Sequence, residues 1–281
     1  MKKIGAGIVT FNPDIERLGK NIHSVISQTS ILIISDNGSE NINEIEKLIS
    51  RYNNIVIIKN HSNIGIAAAL NRIFDYAYLG DWQWILTLDQ DSVCPDNMVE
   101  ELYKKHASNV GIVCPLIWDI NRKSNVELHD ESKNIKRCIT SGALTSVKAW
   151  KEIDGFDEKM FIDGVDFDFC DRLISANYLI IEVHRIALKH EIGHISYHKF
   201  LMFNVAVKNH SAFRKYYIAK NIVYLDRKNK LRSYPIKTIL RLSKQIALVI
   251  LYEDDKTHKL MNIIKGAKAG FKENINYSEM K

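Results

Sequence analysis

Trp84-Ile85-Leu86-Thr87-Leu88-Asp89-Gln90-Asp91-Ser92 sets an uncharged, mostly apolar run against an Asp-x-Asp ending. A short continuous apolar run reads as a strand buried on both faces, the kind found inside parallel sheets. Three similar runs precede it: Ile4–Val9, Ile31–Ser35 and Ile55–Ile58. Helical patterns lie between them. Asp14–Gln28 carries Ile15, Leu18, Ile22, Val25 and Ile26 on one stripe, Ile42–Tyr52 is a more polar helix, and Ile64–Tyr78 is a third. This alternation predicts an α/β fold with a mostly parallel central sheet flanked by helices. In such sheets ligands bind beyond the carboxyl ends of the strands.

Polar residues collect at those ends. The first strand runs into Thr10-Phe11-Asn12-Pro13 and the second into Asp36-Asn37-Gly38-Ser39. The third runs into Asn60-His61-Ser62-Asn63-Ile64-Gly65, and the fourth into Asp89-Gln90-Asp91-Ser92. Singly, each is explained as a turn or helix cap. Four at one sheet edge, two of them bearing carboxylates, predict a binding cleft.

Asp89 and Asp91 at a strand end supply two hard oxygen donors, which suit Mg²⁺ or Mn²⁺ completing its shell with substrate phosphate oxygens. The structural alternative is a capped turn before a helix opened by Pro95, with Asp96 in its first turn. A haloacid-dehalogenase-like phosphatase would use the first Asp as nucleophile, but it carries the motif on its first strand, and here three strand units come earlier. A dinucleotide oxidoreductase is disfavoured because Gly5 and Gly7 fall inside the first strand and no GxGxxG opens the next helix.

A second acidic cluster, Asp163-Gly164-Val165-Asp166-Phe167-Asp168, stands where a helix is expected to begin near Asp163. The macrodipole there favours ionised carboxylates, which can act as general bases. Asp166 is the preferred base and Asp163 the second candidate, since Asp168 has Arg172 four residues on as an ion-pair partner. Further along, His190-Glu191-Ile192-Gly193-His194 has the spacing of a zinc-protease helix. Gly193 interrupts that helix, and Ile180–Leu188 reads as strand into loop, so the protease reading is set aside.

In order along the chain, these motifs resemble family 2 glycosyltransferases of GT-A fold, Rossmann-like in the nucleotide-binding half. The resemblance is greatest to the bacterial L-rhamnosyltransferases of O-antigen and other surface polysaccharides, and it covers roughly residues 4–225. It implies inverting, metal-dependent transfer from a nucleoside diphosphate sugar, dTDP-β-L-rhamnose, to a hydroxyl of a polyprenyl-diphosphate-linked glycan. UDP-galactose, UDP-galactofuranose and UDP-glucose transferases share nearly all of these motifs, and a catalytically silent glycan-assembly scaffold remains an alternative. The resemblance places Thr10, Phe11, Asn12, Asp36 and Asn37 on the nucleoside, with Asp36 at the pyrimidine edge, and Asn63 and Gly65 along the nucleotide pocket. It puts Asp89 near the ribose or the metal, Asp91 and His190 on the Mg²⁺ or Mn²⁺, and Asp166 in the position of the catalytic base. Many relatives have Glu where Asp168 stands, which keeps Asp168 a secondary, acceptor-side residue. Gly142, in Ser141-Gly142-Ala143, resembles a small-residue turn on the acceptor side. Arg214, in a segment matching the rhamnosyltransferase group, is expected to pair with a donor or acceptor phosphate.

Length and composition fit this reading. The chain has 281 residues, 46% hydrophobic and 26% charged, with net charge +6. Residues 1–227 hold 27 basic and 28 acidic side chains, whereas residues 228–281 hold 12 and 5, so the excess belongs to the last stretch. A nucleic-acid-binding body is therefore not expected. The expected division is a catalytic domain over 1–227, split into a nucleotide half (about 1–115) and an acceptor half (about 116–227), and a basic amphipathic helical C-terminal extension over 228–281. There Ile239, Leu242, Ile246, Val249 and Ile250 form one apolar stripe beside Lys237, Arg241 and Lys244. Leu260, Ile263, Ile264, Ala267 and Phe271 form another beside Lys265, Lys268 and Lys272. These stripes pack on a core or lie on an anionic membrane face. The apolar start ends at Thr10-Phe11-Asn12-Pro13, too short for a secretory signal, and no run reaches a membrane span. The expectation is a cytoplasmic protein, peripheral on the inner face of the membrane. Cys94, Cys114, Cys138 and Cys170 lack metal or disulfide spacing and are expected as reduced thiols.

Overall fold

A computed structural model describes residues 3–119, 127–190, 196–200, 203–229 and 234–275. The chain divides into two compact units, residues 1–158 with 165–191, and residues 159–164 with 192–281.

The first unit alternates as the apolar runs predict: β1 (Ile4–Thr10), α1 (Ile15–Ile26), β2 (Ile31–Asp36), α2 (Ile42–Ile49), β3 (Ile55–Lys59), α3 (Ile66–Leu79) and β4 (Trp84–Asp89). It continues through α4 (Met98–Tyr103), β5 (Val110–Asp119), β6 (Ser132–Asn134), β7 (Ala143–Ser146), α5 (Val147–Glu152), α6 (Val165–Ser175) and β8 (Leu179–His190). The eight strands form one sheet in the order β3-β2-β1-β4-β7-β5-β8-β6. β3, β2, β1 and β4 are mutually parallel, β7 runs antiparallel to both β4 and β5, β5 and β8 are parallel, and β6 is antiparallel to β8. Strand order reverses at β1, because β2 and β3 lie on one side of it and β4 on the other. The register sets Thr10 opposite Asp36 and Val9 opposite Asp89, so three of the predicted polar clusters share one edge.

Both faces of the sheet are covered. Leu18, Ile22 and Val25 of α1 and Met98, Val99 and Leu102 of α4 join Ile8, Leu32, Ile34 and Leu86 in one buried cluster. Each fully buried aliphatic side chain of this kind is worth roughly 1.5–3 kcal/mol. Elsewhere in the unit Phe74 stacks on Trp150 and Phe156 stacks on Phe169. Asn71 knits that layer together: its Oδ1 accepts from Trp150 Nε1 and the Phe156 amide, while its Nδ2 donates to the Phe156 carbonyl.

Some boundaries differ from expectation. α4 begins at Met98 rather than Pro95, because Asn97 takes a left-handed conformation ahead of it, so Glu100 and Glu101, not Asp96, fill its first turn. α6 begins at Val165, so Asp166 and Asp168 lie in its first turn. Asp163 and Gly164 precede it with φ of 69° and 83°. The strand expected over Ile180–Leu188 continues to His190. Glu191, Gly193, His194 and the side chain of His190 lie outside the described residues.

The second unit contains β9 (Ser196–Phe200) paired antiparallel with β10 (Phe203–Val207), then α7 (Ala212–Lys228), α8 (Tyr234–Tyr252) and α9 (Lys256–Lys272). α7, within the stretch that the sequence groups with the catalytic domain, packs here with α8 and α9. Ala219, Val249 and Ile263 form the centre of that packing, with Leu242, Ile246 and Leu260 around it. The two stripes expected on α8 and α9 are thereby split. Leu242, Ile246 and Val249 turn inward, whereas Ile239, Ile250, Ile264 and Phe271 are exposed. α8 has more apolar residues than one packing face can hold.

α9 approaches α7 at two glycines. A Cβ on Gly266 would stand 2.1 Å from the Tyr216 carbonyl oxygen, and one on Gly270 2.4 Å from that of Lys220. Neither helix backbone can yield locally, so Gly266→Ala is expected to destabilise this unit by ~1–3 kcal/mol, as overpacking does. Lys268→Ala, on the exposed side of α9, is expected to stay within about 0.5 kcal/mol. Urea unfolding of the two variants checks the contrast; equal midpoints would contradict the close approach.

Candidate functional site

The site is built at the carboxyl edge of β1, β2 and β4. Asp36 ends β2 and is 1% exposed. Its Oδ1 accepts from Thr10 Oγ1 at 2.8 Å and Ser39 Oγ at 2.5 Å, and its Oδ2 accepts from the Gly38 and Ser39 amides at 3.1 and 2.9 Å. A carboxylate offers about four acceptor directions, and here four protein donors occupy them. As it stands, Asp36 braces the turns that follow β1 and β2. Ser39 Oγ also accepts from the Asn12 amide, and Asn12 Oδ1 accepts from the Glu40 amide, so the ends of β1 and β2 are fastened to each other. Asn37 is buried and bonded through its side chain to the Gly65 carbonyl and to Asn60. Asn63 Oδ1 accepts from the Gly65 amide, and Gly65 opens α3 with φ of 86°. Above this frame the Phe11 ring is exposed, while its amide donates to Gln90 Oε1.

The Asp-x-Asp turn is held from two directions, by Asn21 and by Ser141. Asn21 of α1 donates to the Asp89 carbonyl at 2.6 Å, Ser141 Oγ accepts from the Asp89 amide at 3.1 Å, and Ser92 Oγ lies 2.9 Å from Ser141 Oγ. Asp91 is half exposed, with Oδ2 3.8 Å from Arg17 Nη1. Among the described residues no third His, Cys, Asp or Glu joins Asp89 and Asp91 in a metal-sized cluster. Two carboxylates at one strand end are hard oxygen donors, the type that suits a divalent cation also taking phosphate oxygens.

Ser141 and Gly142 form the turn that enters β7. The Gly142 amide donates to the Thr87 carbonyl, and its φ is 86°. A Cβ there would crowd Leu188 Cδ2 at 2.9 Å and Pro115 Cγ at 3.1 Å, but it is the left-handed backbone that favours glycine. Asp166, in the first turn of α6, accepts its neighbour's Phe167 amide at 2.9 Å, and its charge is felt at Arg137, which is paired with Asp171. Asp168 is buried and ion-paired to Arg172 Nε at 2.7 Å, so the expected i,i+4 partner is present. Cys138 and Cys170 Sγ lie 3.8 Å apart as free thiols. The hydrogen bond to Cys138 together with burial keeps the Cys170 thiol far above its ordinary range, hence protonated.

Two predicted residues lie in the second unit. Asp163 accepts a bidentate pair from Arg214, with Nε–Oδ2 2.9 Å and Nη2–Oδ1 2.8 Å. Asn221 Nδ2 donates to the carbonyls of Ile162 and Asp163, fixing the strained turn that presents the carboxylate. The hydrogen bond to Asp163 holds Arg214 firmly protonated. Sequence reading missed Arg17, Asn21, Ser39 and Gln90 as supports. Only Ser39 and Gln90 left a signal, since each lies inside a polar cluster.

Residues 6–170 match the family model described as Glycosyl transferase family 2. A curated relative, dTDP-rhamnosyl transferase RfbF of Shigella flexneri, is 28% identical over 249 residues, covering 80% of each chain. Two solved structures are similar in fold. GalNAc-T7 with UDP, GalNAc and Mn²⁺ has TM-score 0.59 and 16% identity, covering 96% of this chain and 56% of its own. TarS 1-349 of S. aureus has TM-score 0.60 and 11% identity, covering 94% and 81%. The architecture is that of GT-A glycosyltransferases, as the motifs implied.

His210 gives the second unit a pH signature. Burial, then the nearby Arg214, push its pKa down to about 4, with Lys208 and Lys215 acting the same way and Asp163 opposing. The unfolded chain, titrating near 6.5, therefore binds more protons than the folded one between those values. This contribution destabilises the fold as pH falls from about 6.5 and levels off below about 4. His210→Gln is expected to lose less melting temperature than wild type between pH 7 and pH 4.5. Parallel thermal-unfolding profiles would contradict this.

Proposed function

The chain belongs to glycosyl transferase family 2, and from that premise we propose that it transfers L-rhamnose from dTDP-β-L-rhamnose, with inversion, to a hydroxyl of a polyprenyl-diphosphate-linked glycan in surface-polysaccharide synthesis. The similarity to the Shigella dTDP-rhamnosyl transferase across four-fifths of both chains carries the choice of sugar. The cluster of polar groups at the carboxyl edge of β1, β2 and β4 supports the site.

In this reading Thr10, Phe11, Asn12 and Asn37 bound the nucleoside, and Asn63 and Gly65 line the nucleotide. Asp36 holds the two turns in place, and its contact with the base would require one of its protein donors to give way. Asp91, with Asp89 beside it and His190 in support, would hold a divalent cation, which when bound supplies positive charge against the leaving diphosphate. The Asp166 carboxylate accepts the proton of the acceptor hydroxyl as that oxygen bonds to the anomeric carbon from the face opposite the diphosphate. The carbon–oxygen bond to phosphate breaks as the new one forms, so a β-linked donor gives an α-linked product. Gly142 and Asp168 belong to the acceptor side, Asp168 through its hold on α6. Arg214 binds phosphate if Asp163 releases it, and Asp163 is the second candidate for base.

The exposed residues of α8 and α9 support a membrane-facing role. Ile236, Ile239, Leu240, Ile250 and Leu251 are all exposed on one stripe of α8, and Lys237 and Lys244 flank it. On α9, Met261, Ile264 and Phe271 are exposed among Lys265, Lys268 and Lys272. Among the described residues no helix is long and apolar enough to cross a membrane. A basic, apolar surface of this kind suits the interface of an anionic leaflet, each cation near it contributing about 1 kcal/mol. There a lipid-linked acceptor would be presented, on the cytoplasmic face.

Two experiments test these parts separately. Asp166→Asn is expected to lower kcat by about 10²–10⁴ and leave donor Kd unchanged. Asp91→Asn is expected to weaken metal-dependent donor binding itself. Normal turnover by Asp166→Asn would remove that residue as base. Replacing Ile239, Leu240 and Ile250 with Ser in the full chain is expected to abolish sedimentation with phosphatidylglycerol vesicles while sparing donor binding. Unchanged sedimentation would overturn the membrane role.

A further inference from the structure

Away from the carboxylate site, three side chains of the first unit converge: His129 and Glu131, in the segment leading to β6, and His184 of β8. Backbone hydrogen bonds clamp the two segments, the His129 amide to the His184 carbonyl and the His184 amide to the Glu131 carbonyl. His184 sits in a bulge. β5 pairs Pro115 with Val183 but Leu116 with Ala187, so residues 184–186 leave that ladder. Pro115 has no amide to donate, and a bulge redirects the side chain it carries.

The hydrogen bonds fix which ring nitrogens carry protons. His184 Nε2 lies 2.9 Å from Glu182 Oε1 and donates to that carboxylate. His129 Nδ1 lies 3.1 Å from the Glu127 carbonyl oxygen and donates to it. In the neutral rings the remaining nitrogens, His184 Nδ1 and His129 Nε2, are then lone-pair acceptors, and they face each other at 3.0 Å. Two acceptors at that distance are satisfied by a cation between them. Glu131 Oε2 stands 3.5 Å from His129 Nε2, supplying a third donor and a negative charge. The ligand–ligand edge of a tetrahedral site with Zn–N of about 2.0–2.1 Å is about 3.3 Å, between these two separations. An outer carboxylate on one ring and a backbone carbonyl on the other are the partners that metal-binding histidines characteristically have.

We propose that His129, His184 and Glu131 form a second metal site, for Zn²⁺ or a similar borderline cation. It is separate from the carboxylate pair, and its fourth position is open to water or another ligand. Its two imidazoles distinguish it from the carboxylate pair of Asp89 and Asp91, whose hard oxygens suit Mg²⁺ or Mn²⁺. The cation would fasten the segment before β6 to β8. Glu182 acts as a positioning residue, holding the His184 ring with its Nδ1 lone pair toward the metal.

The test is Zn²⁺ titration of the full, untagged chain against a chromophoric chelator, in an Asp89→Asn/Asp91→Asn background that removes the oxygen site. One equivalent is expected to bind. His129→Ala and His184→Ala are each expected to weaken it at least tenfold, whereas His190→Ala/His194→Ala leaves it intact. Glu182→Ala is expected to weaken it 10–100-fold, with partial rescue by Glu182→Gln, which can still accept from Nε2. Melting temperatures without metal verify folding, and the exposed His129 carries the test if His184→Ala misfolds. Co²⁺ in place of Zn²⁺ should give visible absorption that disappears in His129→Ala. Absence of Zn²⁺ binding in the background chain, or loss of binding in His190→Ala/His194→Ala but not in His129→Ala, would overturn the proposal.

Discussion

The Asp36 carboxylate is the contact on which the carboxyl edge of β1 and β2 depends. A buried charge is costly unless its hydrogen-bonding capacity is met, and here two hydroxyls and two amides meet it. Those donors come from the end of β1 and from the turn after β2, so the condition that makes Asp36 tolerable also fixes the two turns. Ser39 passes the constraint on by accepting from the Asn12 amide, and Asn37 carries it to the start of α3 through Gly65. The ends of β1 and β2 are thus organised by the protein's own hydrogen bonds, which would lower the ordering cost of any ligand bound there.

The Asp-x-Asp turn depends on a different set of supports. Its backbone is held by Asn21 from α1 and by Ser141 from the turn entering β7. Gly142 allows that approach by taking φ of 86°, a conformation that favours glycine. Asp91 is half exposed, with Arg17 Nη1 3.8 Å from its Oδ2.

Much of this was legible in the sequence because buried parallel strands advertise themselves as uncharged runs and their ends as polar clusters. Ile4, Ile31, Ile55 and Trp84 begin strands as the pattern predicts, and Asp166 falls in a helical first turn. What could not be read depends on contacts distant in sequence. Nothing in the local pattern joins Ser141 to the Asp89 amide or Asn21 to its carbonyl. The pairing of Asp163 with Arg214 spans 51 residues, and the bulge that brings His184 to His129 depends on a proline in a different strand. The stripes of α8 and α9 were visible as apolar periodicity, but which residues turn inward depends on where α7 packs.

Calorimetric titration of the full-length chain with dTDP-β-L-rhamnose, UDP-galactose, UDP-galactofuranose and UDP-glucose, each with Mg²⁺ or Mn²⁺, tests the central claim most directly. One saturable site is expected, whose affinity for dTDP-β-L-rhamnose exceeds that for each UDP-sugar by at least tenfold and falls when the cation is removed. Tighter binding of a UDP-sugar would contradict the choice of rhamnose, and failure of every nucleotide sugar to bind would contradict the assignment of the Asp36-braced edge as a donor pocket.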